Sequence, residues 1–321
     1  MSCNTCECGV TLSGTGFDCT PAMEIAHKLI VVPTYDSTGA KNKILLSATL
    51  NQAYFDALRN QSDVSKRWNP WPAMKNINDV RGENKTFEFD DQTLEFLAEG
   101  ARKFTAMIPG TSGSGANSPQ MKELIEQVRC GDYGLYIVTT KNQLIGVLSV
   151  DGLSLEPIAI DEQSIVAQLM KKTNDAPQHL LLSFNWSSTV SDTSLRMFDC
   201  DELGGADLQS LRGLLSICMD VVSQTSTVLT VKLRARFGTS ITPIVVPGLV
   251  TADFVSSVGG AVGKIRNVTD AADVAVVAVE SPAGTYALTH LAQTAGDVLI
   301  VKPLKANFEF ACVEADLQVA V

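Results

Sequence analysis

The sequence predicts a mainly β protein (α+β in detail), with a large β-rich domain flanked by helices and a small C-terminal β-sandwich. Two observations lead to this fold class. Short runs rich in Val, Ile and Leu recur along the chain and are closed by Pro, Gly or Asp, as strands bounded by turns are. Beyond about residue 240 such runs follow one another every 8–12 residues or so, which is the spacing of a small sandwich.

The length of 321 residues is enough for two domains that each bury a core. We predict a flexible N-terminal arm at residues 1–27, the large domain at 28–240 and the sandwich at 241–321. The second boundary follows a change in composition, because aromatic residues become scarce beyond it. No apolar run reaches the roughly 18 residues of a membrane span, and no membrane partner is expected.

The N-terminal arm is rich in cysteine and glycine, and four thiols lie within its first 19 residues: Cys3, Cys6, Cys8 and Cys19. Four thiolates could hold a tetrahedral zinc ion, and a disulfide or interchain contact is a second possibility. The C-x-x-C-x-C spacing lacks a second C-x-x-C pair, so no specific role is favoured. The remaining thiols are expected to be small buried apolar residues: Cys130, Cys200, Cys218 and Cys312.

The large domain opens with a β-branched run at 28–33, which predicts a strand closed by Pro33. Helices are predicted at 50–59 from its i, i+3, i+4, i+7 apolar spacing, at 91–104 with Asp91 as N-cap, at 119–129 with Pro119 in its first turn, and at 207–214. The further predicted strands are 80–89 (half-buried), 133–138, 144–150, 165–170, 179–186, and the pair 218–225 and 228–237.

The C-terminal sandwich is predicted to contain short Val- and Ala-rich strands at 242–246, 261–265, 274–279, 286–291, 298–301 and 308–321. Tyr286 follows a turn that contains Pro282 and Gly284. Immunoglobulin-like domains have a similar tyrosine at a strand corner, where its hydroxyl bonds back to the backbone. The likeness is one of architecture, since no Cys pair or central Trp accompanies Tyr286.

No catalytic, cofactor-binding or metal-binding residue is predicted, and the chain is not expected to be an enzyme. Histidine is the commonest general base, yet His27, His179 and His290 lie in no nucleophile or metal motif. The glycines at 259–263 lack the spacing of a phosphate-binding loop. The acidic run 199–202 departs from a calcium loop and is interpreted as a solvated turn.

Trp68 and Trp71 alternate with Pro70 and Pro72 in a stiff segment with large apolar area. The two indole rings could stack on sugars or bases. Because no polar cluster surrounds them, we expect them instead to anchor a loop on the core or on a neighbouring subunit.

The charge balance points to assembly rather than to nucleic-acid binding. Only 19% of residues are charged, fewer than on most globular chains, so part of the surface is expected to meet other subunits. The net charge of −10 disfavours tight binding to a phosphate backbone. With no signal-like N-terminus, we expect a soluble chain made in the cytoplasm.

The large domain resembles the tail tube proteins of tailed bacteriophages and the related inner-tube proteins of contractile injection systems. The resemblance is carried by the opening strand and turn at 28–39 (KLIVVPTYDSTG), by WNPWP at 68–72, by residues 95–104 and by RCGDYGLYIV at 129–138. Tail proteins of this kind often carry an added immunoglobulin-like domain, as the last 80 or so residues suggest.

The resemblance implies a tail-tube-like β-sandwich whose strands join between copies into a barrel. Copies would form stacked hexameric rings in a virion tail, assembled in the host cytoplasm alongside other phage tail proteins. DNA would pass through an acidic lumen without specific binding. The strands within 133–150, 165–170 and 179–186 would pair with neighbouring copies in the same ring. Residues 1–27 and 110–118 would link one ring to the next, and the sandwich would face outward.

Two alternatives remain open at this point. The chain could be another virion component, such as a capsid-decorating or tail terminator protein. It could also be a carbohydrate-binding or adhesive module that uses Trp68 and Trp71.

Overall fold

A computed structural model describes residues 22–109, 119–235, 244–255, 263–267, 269, 272–303, 307–310 and 315–318. The protein is mainly β, as predicted. It divides into two compact units, Met1–Gly213 and Leu214–Val321. Neither α-helix of the described part has the length and apolar composition of a membrane span.

The described residues of the first unit form two α-helices and thirteen strands. The helices are α1 (Gln52–Arg59) and α2 (Pro119–Val128). The strands are β1 (Ala26–Pro33), β2 (Ile44–Leu45), β3 (Asn69–Pro70), β4 (Lys75–Arg81), β5 (Lys85–Glu88), β6 (Leu94–Ala98), β7 (Arg102–Pro109), β8 (Tyr133–Thr139), β9 (Leu144–Leu148), β10 (Ser154–Glu156), β11 (Ile158–Met170), β12 (His179–Trp186) and β13 (Leu195–Phe198).

The strands of this unit form two layers that share the long strand β11. Its first two residues pair with β8, and from Ile160 onward it pairs with β12, with a bulge between Asp161 and Val166. We call β3, β1, β8 and β9 the covered sheet and β4, β7, β12 and β11 the open sheet. All neighbours in both sheets are antiparallel.

The covered sheet lies between two apolar cores. Leu29, Val31, Leu135 and Ile137 face the core between the sheets, where α2 also packs. The alternate residues of β1 and β8 face a second core with Phe55 of α1. A strand buried on both faces needs an unbroken apolar run. The sequence of β1 has that run, and its strand was predicted correctly.

Both helices form where the sequence gives them an end signal. The Asn51 side chain accepts a hydrogen bond from the Tyr54 N–H (2.9 Å) and caps α1, and α2 begins at Pro119. Strands β8, β9 and β12 also lie where they were predicted, whereas β11 begins seven residues before the predicted strand 165–170. The last residues of the predicted arm 1–27 belong to the fold instead, because β1 starts at Ala26 and the Glu24 N–H donates to Gln143 (3.0 Å).

Two predicted helices are absent from the described residues. The predicted helix 91–104 is instead the strand β6 and the start of β7, with Asp91 holding a turn through the Thr93 N–H (3.0 Å). Residues 208–210 form a turn that the Asp207 carboxylate caps by accepting the N–H groups of Gln209 and Ser210, but no helix follows, and the chain enters β14 at Leu215. The predicted half-buried strand 80–89 is split between β4 and β5.

The second unit consists of nine described strands around one core. They are β14 (Leu215–Gln224), β15 (Val228–Ala235), β16 (Phe254–Val255), β17 (Lys264–Asn267), β18 (Ala272–Glu280), β19 (Thr285–His290), β20 (Val298–Pro303), β21 (Phe308–Phe310) and β22 (Ala315–Gln318). Strand β18 pairs first with β17 and then with β19, so the sheet folds over Leu233, Ile265 and Leu288.

The boundary between the units lies at Gly213, not at residue 240 as predicted. The β14–β15 pair was predicted correctly but assigned to the wrong domain, because β15 pairs with β19 and β14 pairs with β21. The prediction for Tyr286 is confirmed. Its hydroxyl donates to the Val246 carbonyl (2.8 Å) and accepts the Leu249 N–H (3.2 Å).

Candidate functional site

The open sheet has one face on the core and one face on solvent. Along β12, Leu180, Leu182, Phe184 and Trp186 are buried, while the residues between them point outward. We call the outward side the open face. Its residues are Asn78, Val80, Lys103, Thr105, Met107, Pro109, Val166, Gln168, Met170, His179, Leu181, Ser183 and Asn185, with Lys75 and Asp161 at its two ends.

The open face is poor in charge. Its described positions carry two cations, Lys75 and Lys103, and one anion, Asp161. Hydroxyl and amide side chains fill its centre, and Val80, Val166, Met170 and Leu181 are exposed apolar residues. The acidic surface that the resemblance implies is therefore not found on this face.

Both lateral edges of the open sheet are unpaired within the described part of the chain. Strand β4 pairs with β7 alone, and β11 beyond Ile160 pairs with β12 alone. The Ser187 N–H donates to the Ala159 carbonyl (3.0 Å), which fixes the alternation of hydrogen bonds between β12 and β11. That alternation leaves the backbone N–H groups of Ala167 and Leu169 pointing away from β12, towards the free edge.

A second feature projects from the same sheet. Strands β4 and β7 continue beyond the sheet as the two-stranded hairpin β5–β6, whose residues are all exposed. Its apolar side chains are 45–67% exposed. They are Phe87, Phe89, Leu94, Phe96 and Leu97. A two-stranded hairpin is marginally stable by itself in water, and such large exposed apolar side chains mark interaction surfaces.

Ion pairs hold the base of this hairpin. Arg102 binds Asp79 through two hydrogen bonds (2.8 and 2.6 Å) and Asp192 through a third (3.0 Å). Its guanidinium lies over the Trp186 ring at 5.5 Å, and the Trp186 indole N–H donates to Asp79 (3.0 Å). Burial lowers the pKa of Arg102, but the bonds and charges of Asp79 and Asp192 outweigh it and raise that pKa overall.

Arg81 extends the network to the other strand. It forms ion pairs with Glu99 (2.7 Å) and Asp192 (3.0 Å). Beside it the two backbones cross closely at glycines, since a Cβ on Gly100 would overlap the Gly82 carbonyl. The Gly82 N–H donates to the Ala101 carbonyl (2.9 Å), so the crossing keeps the antiparallel ladder of β4 and β7.

The tryptophans that could have stacked on a sugar are not available to one. Trp68 and Trp71 are 3% and 4% exposed, and Trp68 stacks on Tyr136 at 4.8 Å. The prediction that they anchor a loop on the core is confirmed. The carbohydrate-binding alternative loses the residues on which it depended.

The remaining candidate residues do not converge. His27, His179 and His290 lie on β1, β12 and β19, and no cluster of His, Cys, Asp and Glu in the described chain could hold a metal ion. Asp199 accepts a hydrogen bond from Gln143 (3.2 Å), and its own N–H donates to Glu202 (2.8 Å), as in a closed acidic turn.

The cysteine predictions had mixed outcomes. Cys130 is exposed in the turn after α2, so the prediction of a buried residue was wrong there. Cys200 and Cys218 are buried, but each is disulfide-bonded rather than a free thiol. The four N-terminal cysteines, Cys312, the loop 110–118 and most of the glycine run 259–263 lie outside the described residues.

Comparisons with protein-family models, with curated protein sequences and with solved structures found no match to this chain. The open face, the free edges and the hairpin are the described features that present unpaired strand edges and exposed apolar side chains to a second chain.

Proposed function

We propose that this chain is a non-enzymatic structural subunit, the tail tube protein of a tailed bacteriophage. Copies join through their open sheets into hexameric rings, which stack into a conduit for DNA in the virion tail. The observation that carries this proposal is the open sheet itself: four antiparallel strands with one solvent face and two unpaired edges.

The strand order favours joining side by side. An even number of antiparallel strands places β4 of one copy antiparallel to β11 of the next when copies are related by rotation. The free N–H groups of Ala167 and Leu169 would then meet the free edge of β4. Ring closure removes both edges, which would otherwise be open to uncontrolled pairing.

The chemistry of the open face suits a channel that DNA slides through. Phosphate binding requires clustered Lys and Arg, and this face has two separated lysines among amides and hydroxyls. The expected DNA contact is therefore weak and independent of sequence. The N-terminal unit alone supplies these features, and the second unit is proposed to lie on the outside of the tube.

Negative-stain electron microscopy of the purified full chain tests this proposal. Hollow tubes of regular diameter support it. Single rings or closed shells would favour a tail terminator or a capsid-decorating protein. Monodisperse monomers at every salt concentration would overturn it.

A proline in the free edge gives a sharper test. Ala167→Pro removes a backbone N–H that has no partner in the sheet, and edge strands tolerate proline at such positions. The chain should fold but form no rings, while the matched control Ala167→Val should assemble. Circular dichroism checks the fold. If Ala167→Pro formed as many rings as the original chain, pairing between β11 of one copy and β4 of the next would be ruled out.

A further inference from the structure

The β5–β6 hairpin is apolar on both of its faces. The pairing places Phe87 opposite Glu95 and Leu94 opposite Glu88, so the two apolar residues point to opposite sides. Phe89 joins Phe87, with ring centroids 5.0 Å apart, and Phe96 joins Leu94. Each face of the hairpin therefore offers apolar side chains to a partner.

The hairpin is also strongly acidic. Residues 83–99 contain six Asp or Glu and one Lys, a net charge of −5 out of −10 for the whole chain. These charges are exposed, and none of them has a lysine or arginine partner on the hairpin itself. An acidic apolar arm is complementary to a basic apolar surface.

This chain carries such a surface at the far end of the same sheet. Lys75 and Met170 lie at the end opposite to Arg81, and Lys171 and Lys172 follow directly after β11. All three lysines are exposed, and Leu181 is exposed beside Met170. We call Lys75, Met170, Lys171, Lys172 and Leu181 the lysine end.

We propose that the β5–β6 hairpin is a docking arm that binds the lysine end of the open sheet in a second copy of this chain. This inference rests on the proposed function, because it supplies the contact between stacked rings. The arm leaves the sheet along the strand direction. Because the acidic arm and the lysine end lie at opposite ends of the sheet, successive copies would stack head to tail. Like ends repel, so a tube would grow with one polarity.

The reach of the arm is sufficient for this contact. Residues 82–90 extend about 25 Å beyond the sheet at the usual rise of a β-strand. The ion pairs of Arg81 and Arg102 fix its direction before docking, so less ordering is required when the partner binds.

Charge reversal tests the proposal on the full chain. Glu88→Lys with Asp90→Lys should leave rings intact and reduce the fraction of stacked rings at least about tenfold. Lys171→Glu with Lys172→Glu should do the same. Combining all four substitutions should restore stacking, since the two charges are exchanged rather than lost.

The matched control places the same charge change on two other exposed acidic residues of the unit. Asp132→Lys with Asp201→Lys should stack like the original chain. Sedimentation velocity and electron microscopy measure rings and tubes separately. Tubes of unchanged length with Glu88→Lys and Asp90→Lys, or no recovery in the combined variant, would overturn the docking arm while leaving the rings in place. Absence of rings in the unmodified chain would instead overturn the proposed function.

Discussion

The covered and the open sheet of the first unit differ in what lies on their second face. In β1 of the covered sheet, every residue from Lys28 to Val32 is buried. In β12 of the open sheet, burial alternates along the whole strand. Both strands have the same length and pair on both sides. The difference shows that an unbroken apolar run marks an inner layer, whereas alternation marks a layer with a face left over for other contacts.

The largest effect is expected from the inward side of β12. Phe184 stacks on Phe104 at 4.9 Å and contacts Trp186 at 5.0 Å. Phe184→Ala should lower the free energy of unfolding by about 3–5 kcal/mol, and its outward neighbour Ser183→Ala by less than about 0.5 kcal/mol. All three tryptophans lie in the first unit, so urea unfolding followed by tryptophan fluorescence reports on this unit alone. Equal losses for the two neighbours would contradict the one-sided burial of β12.

The covered sheet should show no such asymmetry. Leu29 and Ile30 are neighbours that face different cores. Leu29→Ala and Ile30→Ala should each lower the free energy of unfolding by about 2–5 kcal/mol. The same fluorescence measurement applies. A small effect at either position would show that one of the two cores does not enclose β1.

A charge inside the covered sheet should give a pH dependence. Burial lowers the pKa of Lys28 to about 8 from 10.5, against the opposing charge of Asp207. The Lys28 ammonium donates to the carbonyls of Gln209 and Leu211. Between these two pKa values the unfolded chain binds more protons at this group than the folded chain, so folding becomes more favourable as the pH rises.

Lys28→Met removes this titration. Relative to that variant, the original chain should gain about 3 kcal/mol of unfolding free energy between pH 8 and 10.5, and should show no change between pH 6 and 7. Urea unfolding of both proteins at each pH measures the difference. Parallel stability profiles would mean that Lys28 is not buried as a charged group.

The smallest expected effect concerns the crossing at the base of the hairpin. A Cβ on Gly100 would overlap the Gly82 carbonyl, whereas one on Gly82 would lie 3.4 Å from the Ala101 oxygen. Gly100→Ala should therefore destabilise the unit by about 1–3 kcal/mol and Gly82→Ala by much less. Hydrogen exchange of the β5 and β6 amides provides the local measurement. Equal protection in the two variants would rule out a tight crossing.

Much of the fold could be predicted from the sequence where local pattern and tertiary environment agree. The apolar run of β1 and the i, i+3, i+4, i+7 spacing of α1 each have one structural solution. Residues 91–104 could not be predicted, because Leu94, Leu97, Ala101 and Phe104 satisfy a helical spacing. These residues are strands because β6 pairs with β5 and β7 pairs with β12. Strand β12 lies more than 70 residues further along the chain, so a local pattern cannot indicate this pairing.

The candidate site was predictable only in part. Of the four strands of the open sheet, β12 was predicted in full and β11 in part, and both were named as joining strands. Strand β4 was predicted only at residues 80–81 and β7 was missed, while residues 133–150, also named as joining, form β8 and β9 of the covered sheet. The exposed hairpin was missed, because alternating apolar residues such as Phe87 and Phe89 normally indicate a half-buried strand. The pattern does not show whether such residues are covered by their own chain or by another one. The boundary at Gly213 was missed since strands on its two sides have similar composition.

The glycine crossing also sets a mechanical property of the arm. With about 25 Å of hairpin beyond it, a 10° change of angle at Gly82 and Gly100 displaces the tip by roughly 4 Å. The backbone contact at the two glycines and the ion pairs of Arg81 and Arg102 together set the angle of the arm to the sheet. The position of the apolar tip is therefore decided by a few contacts at the base of the hairpin.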